Sequence, residues 1–149
     1  MPRTRSRWRI VLAVAVLLFA VIQVVPYGHA RTNPPVAAEP SWDSPETRAL
    51  ARHACFDCHS NETEWPLYSR VAPVSWLVQR DVDEGRAHLN FSEWNRPQKE
   101  ADEAAEAVRE GEMPMPIYQL MHAHARLSDA DRQRLAAGLE RTLGAGESH

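Results

Sequence analysis

The sequence predicts an all-α protein in which one N-terminal membrane helix precedes a small helical domain. Two observations favour this class. Between residues 41 and 144, apolar side chains recur with the period of an α-helix in four stretches bounded by capping residues, and no convincing strand is visible. The first 25 residues combine arginines with a long apolar run, which is typical of a segment that enters a membrane.

The N-terminal segment has the composition of a membrane signal. Arginines at positions 3, 5, 7 and 9 precede an apolar stretch over residues 10–22, which Val24 and Val25 extend. Its twelve Val, Ile, Leu and Phe residues contribute roughly 4–7 kcal/mol of gross insertion free energy, at about 0.3–0.6 kcal/mol each. Because the arginines stay in the cytoplasm, the chain after Pro26 is expected on the periplasmic side of the cytoplasmic membrane.

Residues 1–30 are therefore predicted to be a signal-anchor or a signal peptide. Gly28-His29-Ala30 has the small-residue pattern of a cleavage site, whereas the long apolar run and the interfacial pair Pro26-Tyr27 favour an uncleaved anchor. Residues 31–40 are rich in proline and lack a hydrophobic period, so we expect an extended tether. Residues 41–149 form the domain, which is large enough for one marginal core.

The first helix of the domain is predicted from Pro45 to Ala54, because Ser44 is a favoured N-cap and proline is favoured at the first helical position. It leads directly into Cys-Phe-Asp-Cys-His at residues 55–59, the attachment signature of a c-type haem. In this motif two thiols form thioether bonds to the haem, and the imidazole becomes the proximal iron ligand.

Both cysteines of the chain, Cys55 and Cys58, lie inside this motif. The sequence therefore predicts a cytochrome c-like helical domain around one covalently bound haem c, with His59 as proximal ligand. Three other uses of the motif stay open. A redox dithiol would normally lie at a helix start in a βαβ pattern, which is not apparent here. A disulfide between the two cysteines would suit an oxidising compartment, and a zinc site would need further ligands, for which the candidates are His88, His122 and His124.

Three further helices follow. The second begins near Pro73, with an apolar face formed by Val74, Val78 and Val82 and widened by Trp76 and Leu77. The third covers residues 97–110 and ends at Gly111, a typical left-handed cap, and its small inner face would admit haem or another helix. This inner face comprises Ala101, Ala104, Ala105 and Val108. The fourth has Ser128 as N-cap with Asp131 three residues on, a stripe of Leu135, Leu139 and Leu143, and a stop at Gly144.

The second axial position of the iron is assigned to Met113. The 54 residues between His59 and Met113 can carry the chain round to the other haem face, and Met113 follows the helix stop at Gly111. Proline after both Met113 and Met115 favours extended backbone there, so that only one of the two methionines reaches the iron. Met115 is the nearest alternative, followed by Met121, by His88, His122 or His124, or by an open position.

Aromatic residues near the motif are predicted to form the haem pocket, because they are large, rigid and able to hydrogen-bond a haem propionate. The candidates are Trp65, Tyr68, Trp76 and Trp94. The carbonyl of Pro66 or of Pro73 is a candidate acceptor for the second nitrogen of His59, which would orient the ring. His53 is expected on the helix surface.

Charge is distributed unevenly along the chain. All twenty acidic residues lie after residue 30, with thirteen of the seventeen Arg and Lys residues, so that this part has a net charge of 13 − 20 = −7 and the leader +4. An acidic surface argues against nucleic acid as a partner and suits docking to a basic redox protein.

Six segments of the chain resemble a bacterial haem-binding domain family of small exported c-type cytochromes, over about residues 41–143. They are Ala54-Cys55-Phe56-Asp57-Cys58-His59-Ser60-Asn61-Glu62-Thr63, Trp65-Pro66, Tyr68-Ser69, Val71-Ala72-Pro73-Val74-Ser75-Trp76, Leu89-Asn90-Phe91-Ser92-Glu93-Trp94 and Gly111-Glu112-Met113-Pro114. The resemblance implies a monohaem domain behind a membrane segment. The family's attachment residues correspond to Cys55, Cys58 and His59, and its Met-Pro element to Met113. Members often have a second proline after that element, where this chain has Met115.

The predicted function is single-electron transfer between periplasmic redox partners by a membrane-tethered haem protein that is not an enzyme. The main alternative is a haem-based sensor or peroxidase-like enzyme with an open distal site, in which His88 or His122 would act as acid and base. A haem-free dithiol or metal module is the third hypothesis.

Overall fold

The computed structural model describes residues 3–144, with side chains from Arg7 onward, and within that range the chain forms helices and no extended strand. The all-α prediction is confirmed for this range. The α-helices are α1 (Arg3–Ile22), α2 (Pro45–Ala54), α3 (Phe56–His59), α4 (Val74–His88), α5 (Ala104–Glu110), α6 (Pro116–Met121) and α7 (Asp129–Gly144). Short 3₁₀ turns lie at Leu67–Arg70 and Ala123–Ala125.

The N-terminal helix forms, but its predicted membrane-spanning role is not supported. None of the helices in the described range combines the length and the apolar character needed to cross a membrane. In α1 the arginines occupy the first two turns, which leaves residues 10–22 as the apolar part. A comfortable span needs about 20 apolar residues.

The chain divides into two compact units. The first comprises the residues up to Arg31 together with Trp65–Arg80, and the second comprises Thr32–Glu64 together with the chain from Asp81 onward. Helix α4 contributes its first half to the first unit and its second half to the second.

The predicted start of α2 is confirmed, as is the apolar stripe of α7. Ser44 Oγ accepts a hydrogen bond from the Thr47 amide at 3.1 Å and caps α2. Ser128 Oγ accepts from the Asp131 amide at 3.1 Å and donates to its carboxylate at 2.7 Å, which satisfies the first turn of α7. The apolar stripe of α7 is buried as predicted, at Leu135, Leu139 and Leu143. The helix ends at Gly144, the last described residue.

Helix α5 is shorter than predicted. It was expected over residues 97–110 but spans Ala104–Glu110, and only its end at Gly111, with φ of 79°, agrees. The first half fails to form a helix because its backbone groups bond elsewhere: the amide of Lys99 donates to the carbonyl of His88 at 3.0 Å. Contacts with the end of α4 therefore outweigh the helix propensity of the first half of residues 97–110.

Helix α4 begins at Val74, in agreement with the prediction, but its buried face is only partly the predicted one. Val82 is buried as predicted, together with Ser75 and Gln79, whereas Val74 and Leu77 are exposed. The apolar period thus identified the helix and only part of its inner side.

The proline-rich segment is extended, as expected, but it is not a free linker. Ala38 forms an isolated parallel bridge with Glu93, and the amide of Trp94 donates to the carbonyl of Ala38 at 3.0 Å. Pro40 is buried. The end of this segment therefore belongs to the folded second unit.

The core of the second unit combines aromatic rings with the small face of α5 and the stripe of α7. Phe91 lies at its centre, with ring centroids 5.2 Å from Trp42, 5.7 Å from Phe56 and 6.3 Å from Trp94. Phe56 belongs to the Cys-Phe-Asp-Cys-His motif, so this contact anchors the motif in the core.

Candidate functional site

The motif adopts one tight helical turn. Helix α2 ends at Ala54, and the amides of Cys58 and His59 donate to the Cys55 carbonyl at 3.1 and 2.8 Å. Side chains three and four positions apart on a helix share a face. The two thiols and the imidazole accordingly line one cavity of about 230 Å³ in the second unit.

The imidazole of His59 is oriented by the chain that follows α4. Its Nδ1 donates a hydrogen bond to the Leu89 carbonyl at 3.1 Å, and the Phe91 amide donates to the His59 carbonyl at 2.8 Å. With the proton on Nδ1, the Nε2 lone pair is the one that can ligate a metal. The predicted acceptors, Pro66 and Pro73, were wrong, because the reversal after His88 brings Leu89 to the ring instead.

Burial lowers the pKa of His59, against the opposing effect of the Leu89 and Gly85 carbonyls. The ring is therefore neutral at pH 7, which is the form that coordinates iron.

A buried polar cluster holds the segment that carries Leu89. Asn90 donates through its side-chain amide to Asn61 Oδ1 at 2.9 Å and accepts the Ser92 amide at 2.9 Å. Ser92 Oγ in turn accepts the Asn61 amide at 2.9 Å. All three residues are buried. Because buried polar groups are costly when unpaired, this closed set fixes the position of the Leu89 carbonyl relative to the motif.

The second half of α4 packs directly on the motif. A Cβ added to Gly85 would lie 2.4 Å from the Cys58 carbonyl oxygen, so only glycine fits there. The next residue, Arg86, donates to the Ser60 carbonyl at 2.7 Å and to Thr63 Oγ1 at 2.9 Å. This close approach forms one wall of the cavity.

Met113 lies at the junction of two cavities. The larger one and a second cavity of about 180 Å³ share Ala54, Cys55, His59, Glu100 and Met113 among their lining residues. The chain reaches this place through the left-handed turn at Gly111, after which the Met113 amide donates to the Ala107 carbonyl at 3.1 Å. Met115 lines only the larger of these two cavities. The choice between the two methionines as ligand stays a prediction.

The other candidate ligands are distributed differently. His88 lines the larger cavity, and its Nδ1 contacts the Glu100 carboxylate. His122 stacks on the Tyr118 ring at a centroid distance of 4.1 Å. Met121 is exposed, and so is His124. His53 is exposed on α2, as expected.

The aromatic residues at the cavities are not the predicted ones. Tyr118 lines the larger cavity and donates a hydrogen bond to the Asp57 carboxylate, while Phe91 lines the smaller one. Trp94 instead stacks on Phe91 and lines another cavity. The remaining three candidates, Trp65, Tyr68 and Trp76, belong to the first unit. Tyr118 was missed because α6 has only six residues and no recognisable period.

The thiols have the properties of inert rather than reactive cysteines. Burial raises the pKa of Cys55 and of Cys58 to about 12, with a smaller contribution to the latter from Asp57. Catalytic dithiols depend instead on a lowered pKa. The two cysteines are not joined by a disulfide. Within residues 3–144 no group of three or more His, Cys, Asp or Glu residues could hold a metal ion, so the zinc alternative has no support there.

The donor set fits a haem. Two thiols, an oriented imidazole and the side chain of Met113 border the same space. The smaller cavity has mainly apolar walls, which include Leu89, Ala107, Val108 and Leu139. Buried apolar walls exclude water and keep a porphyrin in place.

These features define a small all-helical protein with a haem-binding site. The family model described as the Haem-binding domain matches residues 17–141, which is most of the chain, and the chain belongs to this family. The resemblance inferred from the sequence is confirmed. No curated protein and no solved structure matches the chain.

Proposed function

We propose that the chain is a monohaem c-type cytochrome domain that transfers single electrons on the periplasmic side of the bacterial cytoplasmic membrane. The observation that supports this best is the arrangement of Cys55, Cys58 and His59 on one turn, facing a cavity that Met113 also lines. The family match supports haem as the ligand.

Four side chains of the second unit would hold the haem. Cys55 and Cys58 would each form one thioether bond, and each bond uses the thiol of a single residue. His59 would bind the iron through Nε2, and Met113 would bind through its thioether sulfur. When bound, the haem iron supplies a one-electron couple.

The surrounding residues favour electron transfer by keeping the ligands still. The Leu89 carbonyl fixes the ring of His59, and Gly85 lets α4 press against the motif. A site that is already rigid needs little rearrangement when its charge changes by one unit, because its dipoles are preorganised.

Export and a redox partner complete the proposal. The arginines and apolar residues of α1 support membrane targeting, and covalent haem attachment in bacteria takes place outside the cytoplasm. The acidic second unit supports docking of a basic redox partner, since opposite charges steer encounter.

One feature favours a second candidate, a haem-based sensor or peroxidase-like enzyme. His88 lines the larger cavity and is paired with Glu100, an arrangement that could relay protons next to an open iron position. This candidate requires that neither methionine ligates.

The test is the absorption spectrum of the full chain produced together with a c-type maturation system. We expect a low-spin haem that stays with the polypeptide after denaturation in acidic organic solvent. Cys55→Ala and Cys58→Ala should each lose one thioether and reduce the yield of mature protein. Complete release of haem from the wild type would contradict covalent attachment. A high-spin spectrum with ready binding of carbon monoxide would favour the sensor or peroxidase candidate.

A further inference from the structure

The first unit differs sharply in charge from the rest of the chain. Residues 1–31 and 65–80 contain seven of the seventeen Arg and Lys residues and none of the twenty Asp and Glu residues. The second unit therefore contains every carboxylate side chain. A cationic unit without a single acidic side chain is suited to contact with anionic lipid headgroups.

The same unit exposes large apolar side chains outside α1. Four of them lie between the 3₁₀ turn and the beginning of α4. Together we call them the interfacial surface: Leu67 (78% exposed), Val71 (45%), Val74 (41%) and Leu77 (58%). Arg70 is exposed between them. The stretch also contains Trp65, Tyr68 and Trp76, residue types that concentrate at the boundary between lipid and water. An exposed apolar cluster of this kind marks an interaction site.

The interfacial surface is tied to the end of the apolar helix α1. The side-chain amide of Gln23, the first residue after α1, donates to the Ala72 carbonyl at 3.1 Å and accepts the Ala72 amide at 3.0 Å. The guanidinium of Arg31 donates to the Gly28 carbonyl at 3.2 Å and to the Ser69 carbonyl at 3.3 Å. These hydrogen bonds thus hold the chain that follows α1 against the segment that carries the interfacial surface.

Gly28 shows how tight this packing is. Its φ of +83° suits glycine, and an added Cβ would lie 2.8 Å from the carbonyl carbon and oxygen of Ser75. A chain cut after Ala30 would lose the contacts of both Gln23 and Gly28 with the segment that carries the interfacial surface.

We propose that the interfacial surface rests in the headgroup region of the lipid bilayer, as a second point of membrane contact beside α1. Lipid fits better than a protein partner for two reasons: the surface continues an apolar helix, and the unit has only cationic charge. Apolar side chains inserted at the interface, with arginine at the headgroups, are typical of monotopic attachment. The inference rests on the proposed membrane location of the chain, but it does not depend on haem ligation.

The direct test uses the full-length holoprotein in vesicles of phosphatidylethanolamine and phosphatidylglycerol that contain a photoreactive carbene probe in the acyl region. Mass spectrometry after illumination should find labels in α1 and between Leu67 and Leu77. The matched control is the exposed apolar face of α6, formed by Ile117, Leu120 and Met121, which should stay unlabelled. Labels in α1 alone would overturn the proposal and leave the membrane location intact. Labels in neither region would contradict both.

A pair of triple variants tests the energetic contribution. Replacing Leu67, Val71 and Leu77 by serine should weaken partition into these vesicles by about tenfold or more, because apolar contact area is lost. Replacing Val36, Ile117 and Leu120 by serine removes three exposed apolar side chains of the second unit and should change partition by less than about twofold. Both variants should keep the wild-type haem spectrum. Equal partition of the two variants would overturn the proposal, and so would a change in oligomeric state without a change in partition.

Discussion

His59 is held by a carbonyl group thirty residues further along the chain, that of Leu89. The motif predicts His59 as the proximal ligand, but the ring's orientation depends on a reversal after α4 that has no signature of its own. The same holds for Tyr118, which meets Asp57 across 61 residues. For single residues, the motif predicts which side chains form the site, whereas contacts with residues distant in the sequence determine how those side chains are oriented.

The distal ligand gives the sharpest prediction for single residues. We expect Met113→Ala to abolish the weak sulfur-to-iron charge-transfer band of the oxidised protein and to lower the reduction potential, because a thioether favours ferrous iron. Met115→Ala is the matched control and should keep the band, although the loss of packing costs some stability. The measurement is an oxidised spectrum with a redox titration. If the band survives the first change and disappears with the second, Met115 is the ligand.

Among the helices, α4 shows best how an element serves the site. It meets the motif at Gly85, and beside Val82 its buried face comprises small or polar residues that an apolar period does not reveal. Helix α5 is shorter than predicted for a related reason, because the amide of Lys99 donates a hydrogen bond to the carbonyl of His88 and not to a carbonyl of its own segment. Period and caps thus identified which helices exist, while contacts decided how long they are and which side they bury.

Gly85→Ala should destabilise the holoprotein by about 1–3 kcal/mol and reduce haem incorporation, because the new methyl group overpacks against the Cys58 carbonyl. Gly144→Ala is the control: a Cβ there meets no atom of the described residues within 4 Å, so stability should stay equal or rise slightly. Denaturant unfolding of both variants provides the measurement. Equal stability of the two variants would show that α4 does not press on the motif.

The contacts of Glu39 in the proline-rich segment predict that the free energy of unfolding depends on pH. Glu39 accepts hydrogen bonds from Arg48 at 2.6 and 2.7 Å and from Trp42 at 2.7 Å, and the Arg48 contact lowers its pKa below the ordinary 4.5. Since the folded-state pKa is the lower one, this stabilisation is complete above about pH 4.5 and is lost as the pH falls through the folded-state value.

For the partly exposed Glu39–Arg48 pair the effect is at most about 1 kcal/mol. Glu39→Gln should be less stable than wild type at pH 7 and should converge with it once the pH falls below the folded-state pKa of Glu39, which unfolding measured over a series of decreasing pH values would show. A difference in stability between the two proteins that stays constant with pH would show that packing, and not the charge of Glu39, causes it.

For the whole molecule, the separation into a cationic apolar unit and an acidic haem-binding unit is the main feature. One unit combines cationic charge with exposed apolar side chains, and the other contains every Asp and Glu residue of the chain. The family match begins at residue 17, inside α1, so the family pattern includes the end of the N-terminal helix. Because its apolar run is long, we expect that helix to belong to the mature protein.

Retention of the N-terminal segment can be measured directly. The mass of the purified holoprotein should correspond to a chain that includes α1, and the protein should stay with membranes after washing with salt and alkali, because apolar contact is not screened by ions. A soluble protein that begins at Arg31 would contradict this and would show cleavage after Ala30.

Local chemistry was sufficient to predict the attachment motif, the start of α2, the stripe of α7 and the family. The motif and the helix predictions rest on residues within one or a few turns, where spacing and capping act without the rest of the chain, and the family resemblance rests on six such short segments. The tertiary structure decided the partner of His59, the shared position of Met113 and Met115, the buried face of α4 and the joining of Gln23 to Ala72. These depend on contacts between residues that are not local in the sequence, such as His59 with Leu89 and Gln23 with Ala72, whose free energy comes from burial and closed hydrogen-bond sets that no local pattern encodes.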